Sequence, residues 1–413
     1  MILIAFLVAA QITAIAEPAE PGGELAFQVD AAYSHVRWDT RITRERSTAS
    51  GIVLGDELQH TRTLDAVELR LAAAVWRSLE VHLLAPYALS DTQQWYALAG
   101  GTLATNTIDV SGCAAPGSCA SPQPIGVVPG QSTRSRFFDP TIGVAWSPVR
   151  ERWDPARIDT PPPAATWVIG LDYTIPIGGK VDDPSRALAG DSRPEEKQAH
   201  VLTAWMAFSK RIRTIEPYLK IEGSAPFASG KAYDNCQHPE TMADVAAANC
   251  AGAWKGETGY KPPFEAALTG GTEIVAYEDR ALDRRFSVDV RGGVRWHGAS
   301  RGYTQVTDLL GKLTYADEYL TGTAQLALYG RIARWLNLKV AGLVGVDSAH
   351  FITHEDIGED KNGDGAITIS QGTGAPAPDQ NPNYDFRLDQ PGRRLRAEPS
   401  LFWGVSGTVV VSF

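Results

Sequence analysis

The sequence is short of several things, and each shortage removes a class of protein. Beyond the N-terminus no stretch approaches the ~20 unbroken apolar residues of a membrane-crossing helix, so a helical membrane protein is excluded. Basic residues are outnumbered, 38 Lys and Arg against 48 Asp and Glu, and the net charge of -10 argues against a nucleic-acid binder. Four cysteines in 413 residues are too few for a disulfide scaffold. Their C-x5-C and C-x13-C spacings are too loose for a clustered zinc site. Helical periodicity is scarce after residue 16. Disorder is excluded in turn, because 44% of the residues are apolar.

What is present instead is alternation with a period of two. Val67, Leu69, Leu71, Ala73 and Val75 share one face, with Glu68 and Arg70 on the other. Arg77-Ser78 then makes a tight turn into Val81, Leu83, Ala85 and Tyr87. Phe286, Val288, Val290, Val294 and Trp296 alternate with Ser287, Asp289, Arg291 and Arg295, and Leu336, Leu338, Val340, Val344 and Val346 with Asn337, Lys339 and Asp347. Charges at every second position need water or a polar interior, and their apolar neighbours need an apolar surround. A closed barrel in lipid supplies both.

Twelve such segments are predicted, over 25–38, 63–76, 79–91, 135–146, 165–177, 199–209, 215–227, 262–277, 285–297, 318–330, 335–351 and 397–413. The links after the odd segments are long, and those after segments 2, 6, 8 and 10 are short. Only the link 147–164 breaks the pattern. The expected fold is therefore all-β: a transmembrane antiparallel up-and-down β-barrel of 12 strands, with short periplasmic turns, long extracellular loops and both termini periplasmic. A soluble sandwich or solenoid is the alternative, but its strands average nearer five or six residues. Ile2 to Ala10 is almost wholly apolar, and Ala14-Ile15-Ala16 precedes Glu17, so residues 1–16 read as a signal peptide and 17–413 as one barrel domain. Four cysteines allow three connectivities. Proximity favours Cys113 with Cys119 and Cys236 with Cys250, as loop staples in an oxidising compartment.

The last segment places Leu401, Trp403, Val405, Val409, Val411 and Phe413 on one face. Ending on Phe413, it resembles the strand that the barrel-assembly machinery reads in outer-membrane proteins, and that resemblance implies the machinery as a partner. Trp38, Trp76, Tyr87, Trp146, Tyr173, Trp296 and Trp335 fall near segment ends, where interfacial girdles belong. The stretches VELRLAAAVWRSLEVHLLAPY (67–87), DPTIGVAWSP (139–148), TWVIGLDYTIPIGG (166–179) and HVLTAWMAFSKRIRTIEPYLKIEGSAPF (200–227) resemble the outer-membrane proteins associated with meta-cleavage phenol degradation. That resemblance covers about half of the barrel and implies passive outer-membrane passage of small, rather hydrophobic molecules. The long-chain fatty-acid transporters are looser relatives, with fourteen strands and an N-terminal plug. Here only Glu17 to Glu24 precede the first segment.

The alternation also nominates the lumen. Inward candidates are Glu68, Glu80, Asp172, Glu222, Asp289, Asp347 and Glu398, with Arg70, Lys220, Arg291, Arg295 and Lys339. Both signs are present, so two readings stand: a polar pore with a transverse field, or a paired network that fills a narrow barrel and conducts little. In the link 352–396, Asp360, Asn362, Asp364, Ala366, Thr368 and Gln371 follow the D-x-[DN]-x-[DN]-G pattern of a calcium loop around Gly365. Gln371 stands where such loops carry a bidentate Glu, so the expected affinity for Ca2+ is weak and its role is to stiffen the loop. The alternative is an ordinary Asp/Asn/Gly turn. No other cofactor is expected.

Gly298-Ala-Ser300-Arg-Gly302 matches G-x-S-x-G just after His297, and a known outer-membrane phospholipase is also a twelve-stranded barrel. A nucleophile elbow needs strand, turn and helix around the serine. This serine opens a loop, so no enzyme and no catalytic residue is expected, and esterase chemistry is the remote alternative. Arg41, Arg44 and Arg46 follow the first segment, and Arg393, Arg394 and Arg396 precede the last. Together they are a candidate patch for lipopolysaccharide phosphates. The expected function is a passive channel for small molecules in the outer membrane. A non-conducting structural or adhesive barrel is the alternative.

Overall fold

The alternation is realised as strands throughout a computed structural model that describes residues 26–76, 78–98, 130–149, 165–177, 199–228, 234–237, 249–279, 282, 284–333, 335–369, 377–385 and 387–413. In chain order the strands are β1 Ala26–Thr48, β2 Gly51–Trp76, β3 Leu79–Ala97, β4 Gly130–Phe137, β5 Thr141–Val149, β6 Thr166–Thr174, β7 Ala199–Ser209, β8 Ile215–Ala228 and β9 Glu265–Asp279. They continue with β10 Arg284–His297, β11 Ser300–Gly302, β12 Thr314–Ala316, β13 Tyr319–Ala333, β14 Leu336–Asp347, β15 His350–Phe351, β16 Leu395–Ala397 and β17 Ser400–Ser412.

Twelve of these positions close an antiparallel barrel in the order β1, β2, β3, β5, β6, β7, β8, β9, β10, β13, β14, β17 and back to β1. The closing ladder runs from Gln28 opposite Ser412 to Asp39 opposite Leu401. Phe27 and Phe413 exchange backbone hydrogen bonds, so both ends of the barrel chain meet at the rim that carries the short turns.

Side chains sort by parity, as the pleat requires. In β14, Leu338, Val340, Val344 and Val346 point outward while Lys339, Ala341 and Leu343 are buried inside. In β17, Leu401, Trp403 and Val405 are outside, and Phe402 and Ser406 inside. The outer wall is aliphatic all round: Leu83, Val144, Leu171, Leu219, Val290 and Leu326 are all exposed, and Val340 is 62% exposed. Trp146, Tyr173, Trp296 and Trp335 lie on this outer face as expected. Trp38 does not. It shares the inward parity of Val36 and Thr40 and packs against Phe402 at 6.1 Å.

Several boundaries differ from the sequence reading, among them β3, which runs on to Ala97, and the eleventh segment, which divides into β14 and β15. The first link is not long: β1 and β2 run on as one hairpin and turn only between Thr48 and Gly51. Arg41, Arg44, Arg46, Asp56 and Glu57 hid the alternation there, although Ile42 and Leu58 keep it and are wholly buried. The fourth segment is two strands, because Pro140 has no N–H to give a ladder and the chain breaks between β4 and β5. The twelfth divides at Glu398-Pro399 into β16 and β17, again at a proline. On the inner wall two glycines make room for larger neighbours. A Cβ on Gly143 would collide with Asp172 and His82, and one on Gly170 with the Trp205 ring.

The tall β1–β3 wall supports a second core beyond the barrel. Ile42, Leu58 and Trp95 from these strands pack with Val306, Ile352, Leu388, Leu395 and Ala397 from the links, each at most 1% exposed. The described residues of these links therefore form a folded cap. Cys236 and Cys250 are bonded within it, with Cα atoms 5.8 Å apart. Cys113, Cys119 and residues 1–16 lie outside the described residues.

Candidate functional site

The inward acids and bases sit inside the barrel, apart from Glu398 beyond the end of the closing ladder, and most of them touch one another. A ladder of polar contacts climbs the inner wall from the turn rim. Arg70 holds Asp30 at 3.2 Å and also contacts Glu80. Glu80 lies 3.3 Å from His82, His82 lies 3.0 Å from Asp172, and the Trp205 indole donates to Asp172 at 2.9 Å. Lys220 sits over the Trp205 ring and pairs with Glu222 at 2.8 Å. Arg295 bridges Glu222 and Glu265, and His297 lies 3.4 Å from Glu265 and 3.0 Å from the Thr321 hydroxyl. Thr321 donates to Asp347 at 2.6 Å, at the far end of β14. Inside the rise of this ladder, Tyr218 donates to Asp289 at 2.6 Å and Arg291 contacts Gln325. Glu68 and Lys339 are buried in the same lumen, with Lys339 over the Tyr329 ring at 5.3 Å. Glu398 lies higher and accepts from Thr43 at 2.8 Å. Most of these charges are paired, whereas the Glu68 Oε2 and Lys339 Nζ atoms have no hydrogen-bond partner among the described residues, and they line an inner wall whose outside is aliphatic.

The sequence reading missed what crosses the mouth. Residues 298–318, containing β11, a helical turn Thr307–Leu310 and β12, leave β10 and return to β13. In the ring of strands β10 and β3 stand six places apart, so this strap spans the diameter. At the far wall Trp95 donates its indole N–H to the Gln305 carbonyl at 2.7 Å. Arg134 donates to Asp308 at 2.6 Å and Ser132 donates to it at 3.0 Å. The Arg134 and Asp308 side chains are 3% and 2% exposed, so this latch is a buried ion pair. No local spacing announces it, because its halves are 174 residues apart.

Beneath the strap is a cavity of about 150 Å3. Trp38, Thr40, His60, Arg62 and Gln93 form its tall wall, and Ser300 to Gln305 roof it in part. Tyr319, Asp347 and His350 close the opposite side. Tyr319 is stacked between His297 and His350, with centroids 4.4 and 4.1 Å away. Arg62 is held by Asp91 through two hydrogen bonds of 2.8 and 2.6 Å.

The cap is fastened by further buried pairs. Arg301 grips Glu355, donating to Oε2 at 2.7 Å, and also donates to the Glu257 carbonyl at 2.7 Å. Asp385 receives Arg387 at 2.8 Å and Lys312 at 3.4 Å. Burial alone would push Asp385 up, but Lys312 and Arg387 outweigh it and hold the carboxyl well below the usual range. Burial prevails at Asp389 and pushes it up to about 7. These two groups impose opposite pH dependences. The stability tied to protonated Asp389 is complete below its ordinary value of 3.8 and is lost as pH rises through about 7. That tied to ionised Asp385 is present above 3.8 and is lost as pH falls below it. Hydrogen exchange of the cap amides, corrected for intrinsic rates, is therefore expected to be slower at pH 5 than at pH 8.

Five of the six arginines of the candidate phosphate patch make contacts within the chain. Arg41 pairs with Asp56, Arg46 with Glu57, Arg394 with Glu45 and Arg396 with Glu398. Arg44 is buried and donates to the carbonyls of Arg387 and Arg393. Arg44 and Arg394 tie the last link to the β1–β2 hairpin.

In the calcium-like loop, Asp360 accepts the amides of Gly363 and Gly365 at 2.6 and 2.8 Å. Asn362 accepts that of Asp364, and Asp364 that of Ala366, each at 2.8 Å. Gly363 and Gly365 take φ of 75° and 85°, which L side chains avoid. The Thr368 amide donates to Asp379 at 3.0 Å, and Gln371 lies outside the described residues. Among the described residues no three His, Cys, Asp or Glu side chains converge as metal ligands. Ser300 opens β11 rather than a helix, and both His297 nitrogens are directed at Glu265 and Thr321.

No family model and no curated protein matches the chain. Among solved structures it is similar to an outer membrane channel from Pseudomonas putida F1, at 11% identity and TM-score 0.43, covering 95% of this chain and 99% of that one. It is also similar to a FadL homologue of Pseudomonas aeruginosa, at 8% identity and TM-score 0.33, covering 94% and 90%. The outer membrane protease OmpT of Escherichia coli aligns at 6% identity and TM-score 0.29, covering 94% and 97%.

Proposed function

We propose that this chain is a bacterial outer-membrane channel, a passive conduit for small molecules whose mouth is narrowed by the strap. The observation that carries the reading is the inversion of polarity between the two faces of one wall. Leu326, Val290 and Val340 are exposed outside, whereas Asp289, Arg295 and Lys339 are buried inside. In water such an outer face would aggregate, whereas a bilayer satisfies it. The termini and short turns then lie on the periplasmic side and the cap on the extracellular side, in contact with outer-membrane lipid.

The latched strap and the paired lumen favour a second reading, a closed structural barrel. Osmotic swelling of proteoliposomes separates the two. A conduit admits small neutral solutes faster than protein-free liposomes and discriminates by size, whereas a closed barrel swells at the protein-free rate for every solute.

The loop around Asp360 belongs to this reading as a lip of the mouth that Ca2+ stiffens at millimolar affinity. Titration calorimetry is expected to give heat with the intact protein and none with Asp360→Ala/Asp364→Ala. No heat with either would remove the metal from the account.

A further inference from the structure

We infer that the cavity beneath the strap is a binding site for a single neutral, polyhydroxylated six-membered ring, of the monosaccharide kind. The reading of the barrel as a conduit supplies the purpose of the site; the binding itself stands on the cavity. Its volume of about 150 Å3 is of the size that holds one six-membered ring. Two aromatic side chains, Trp38 and Tyr303, are part of the lining and offer such a ring apolar surface beside the polar groups. The rest of the lining is hydroxyl, amide, imidazole and charge, including Thr40, Gln93, Ser300 and Thr304. Ala316 is the one aliphatic side chain among the lining residues. Thr40, Gln93 and Thr304 already have partners within the protein, and a hydrocarbon ring placed here would return no hydrogen bond to the polar capacity they keep toward the cavity. A ring bearing hydroxyls can both donate to and accept from them.

The charge pattern argues for neutrality. Arg62 already holds Asp91 through two bonds, and Asp347 accepts from Thr321. One positive and one negative group therefore face the cavity with their strongest bonds committed elsewhere. An anion or a cation would find one attractive and one repulsive wall. Next to the cavity the inner wall carries the Asp347–Thr321–His297–Glu265–Arg295 ladder, which is polar at every step. This departs from the hydrophobic cargo that the family resemblance implied.

The test is titration calorimetry of the refolded, detergent-held barrel with D-glucose, phenol and L-serine as probes. Saturable heat with D-glucose is expected, with Kd at least tenfold weaker in Gln93→Leu, while heat-modifiable electrophoretic mobility reports that the variant is folded. Should Gln93→Leu fail to fold, Trp38→Phe serves in its place with the same expected weakening. Binding of phenol or L-serine without binding of D-glucose overturns the proposal, as does equal D-glucose affinity in the folded variant. Because binding is read without transport, D-glucose heat in a barrel that fails to swell liposomes would refute the conduit and leave the site standing. Swelling without such heat would do the reverse.

Discussion

Leu326→Arg is expected to destabilise the folded barrel by about 2–4 kcal/mol when unfolding is followed by urea titration in lipid vesicles. Leu326 is the central residue of β13, is 53% exposed, and is paired with Val290 of β10 and Gly342 of β14. In a bilayer a guanidinium at that height must be dragged toward the interface or solvated by thinning the membrane. Ser50→Arg, at the tip of the β1–β2 hairpin, is the control and is expected to stay within about 1 kcal/mol, since water already bathes it. A barrel whose outer face met water would show little difference between the two.

Asp308→Ala is expected to have the largest effect on the mouth. It removes one half of a buried ion pair and leaves Arg134, 3% exposed, facing a vacated carboxylate position. Breaking a buried pair from one side costs about 3–5 kcal/mol. The barrel ladder is untouched by the change, because Asp308 lies in the strap and not in a wall strand. The cost therefore falls on the strap, which is expected to detach from β3 and β4 and become susceptible to proteolysis between β10 and β13. The double variant Arg134→Met/Asp308→Leu is expected to recover protection, since an apolar pair of similar bulk removes the unpaired charge. If Asp308→Ala left the strap as resistant as the parent, the latch would not be what holds it.

Much of the wall was legible in the sequence, because a strand's face is written in its own alternation. Val340 and Lys339 are neighbours in sequence and opposites in space for that reason alone. Legibility failed where charge and apolar residues mix above the membrane height. There Ile42 and Leu58 are buried not by a partner sheet but by Leu388, Leu395 and Val306, from links with no period of their own. The lumen acids and bases were identified from parity, yet their pairing was not, because Arg70 to Glu80 spans a turn and His82 to Asp172 spans 90 residues. The strap and its cavity were illegible for the same reason. Asp308 has no meaning until the topology sets β10 across the ring from β3. The arginines show the opposite failure: their clustering was legible, but Arg41 and Arg394 have acid partners, Asp56 and Glu45, that sequence proximity did not reveal.

The proposed channel is a polar-lined barrel whose conductance is limited by a strap across one mouth. Single-channel recording in planar bilayers tests that most directly, with the parent and Asp308→Ala measured side by side. Small, discrete conductance steps are expected from the parent, and steps at least twofold larger from the variant. Silence from both proteins, with insertion confirmed, would contradict it, as would identical steps with the strap released.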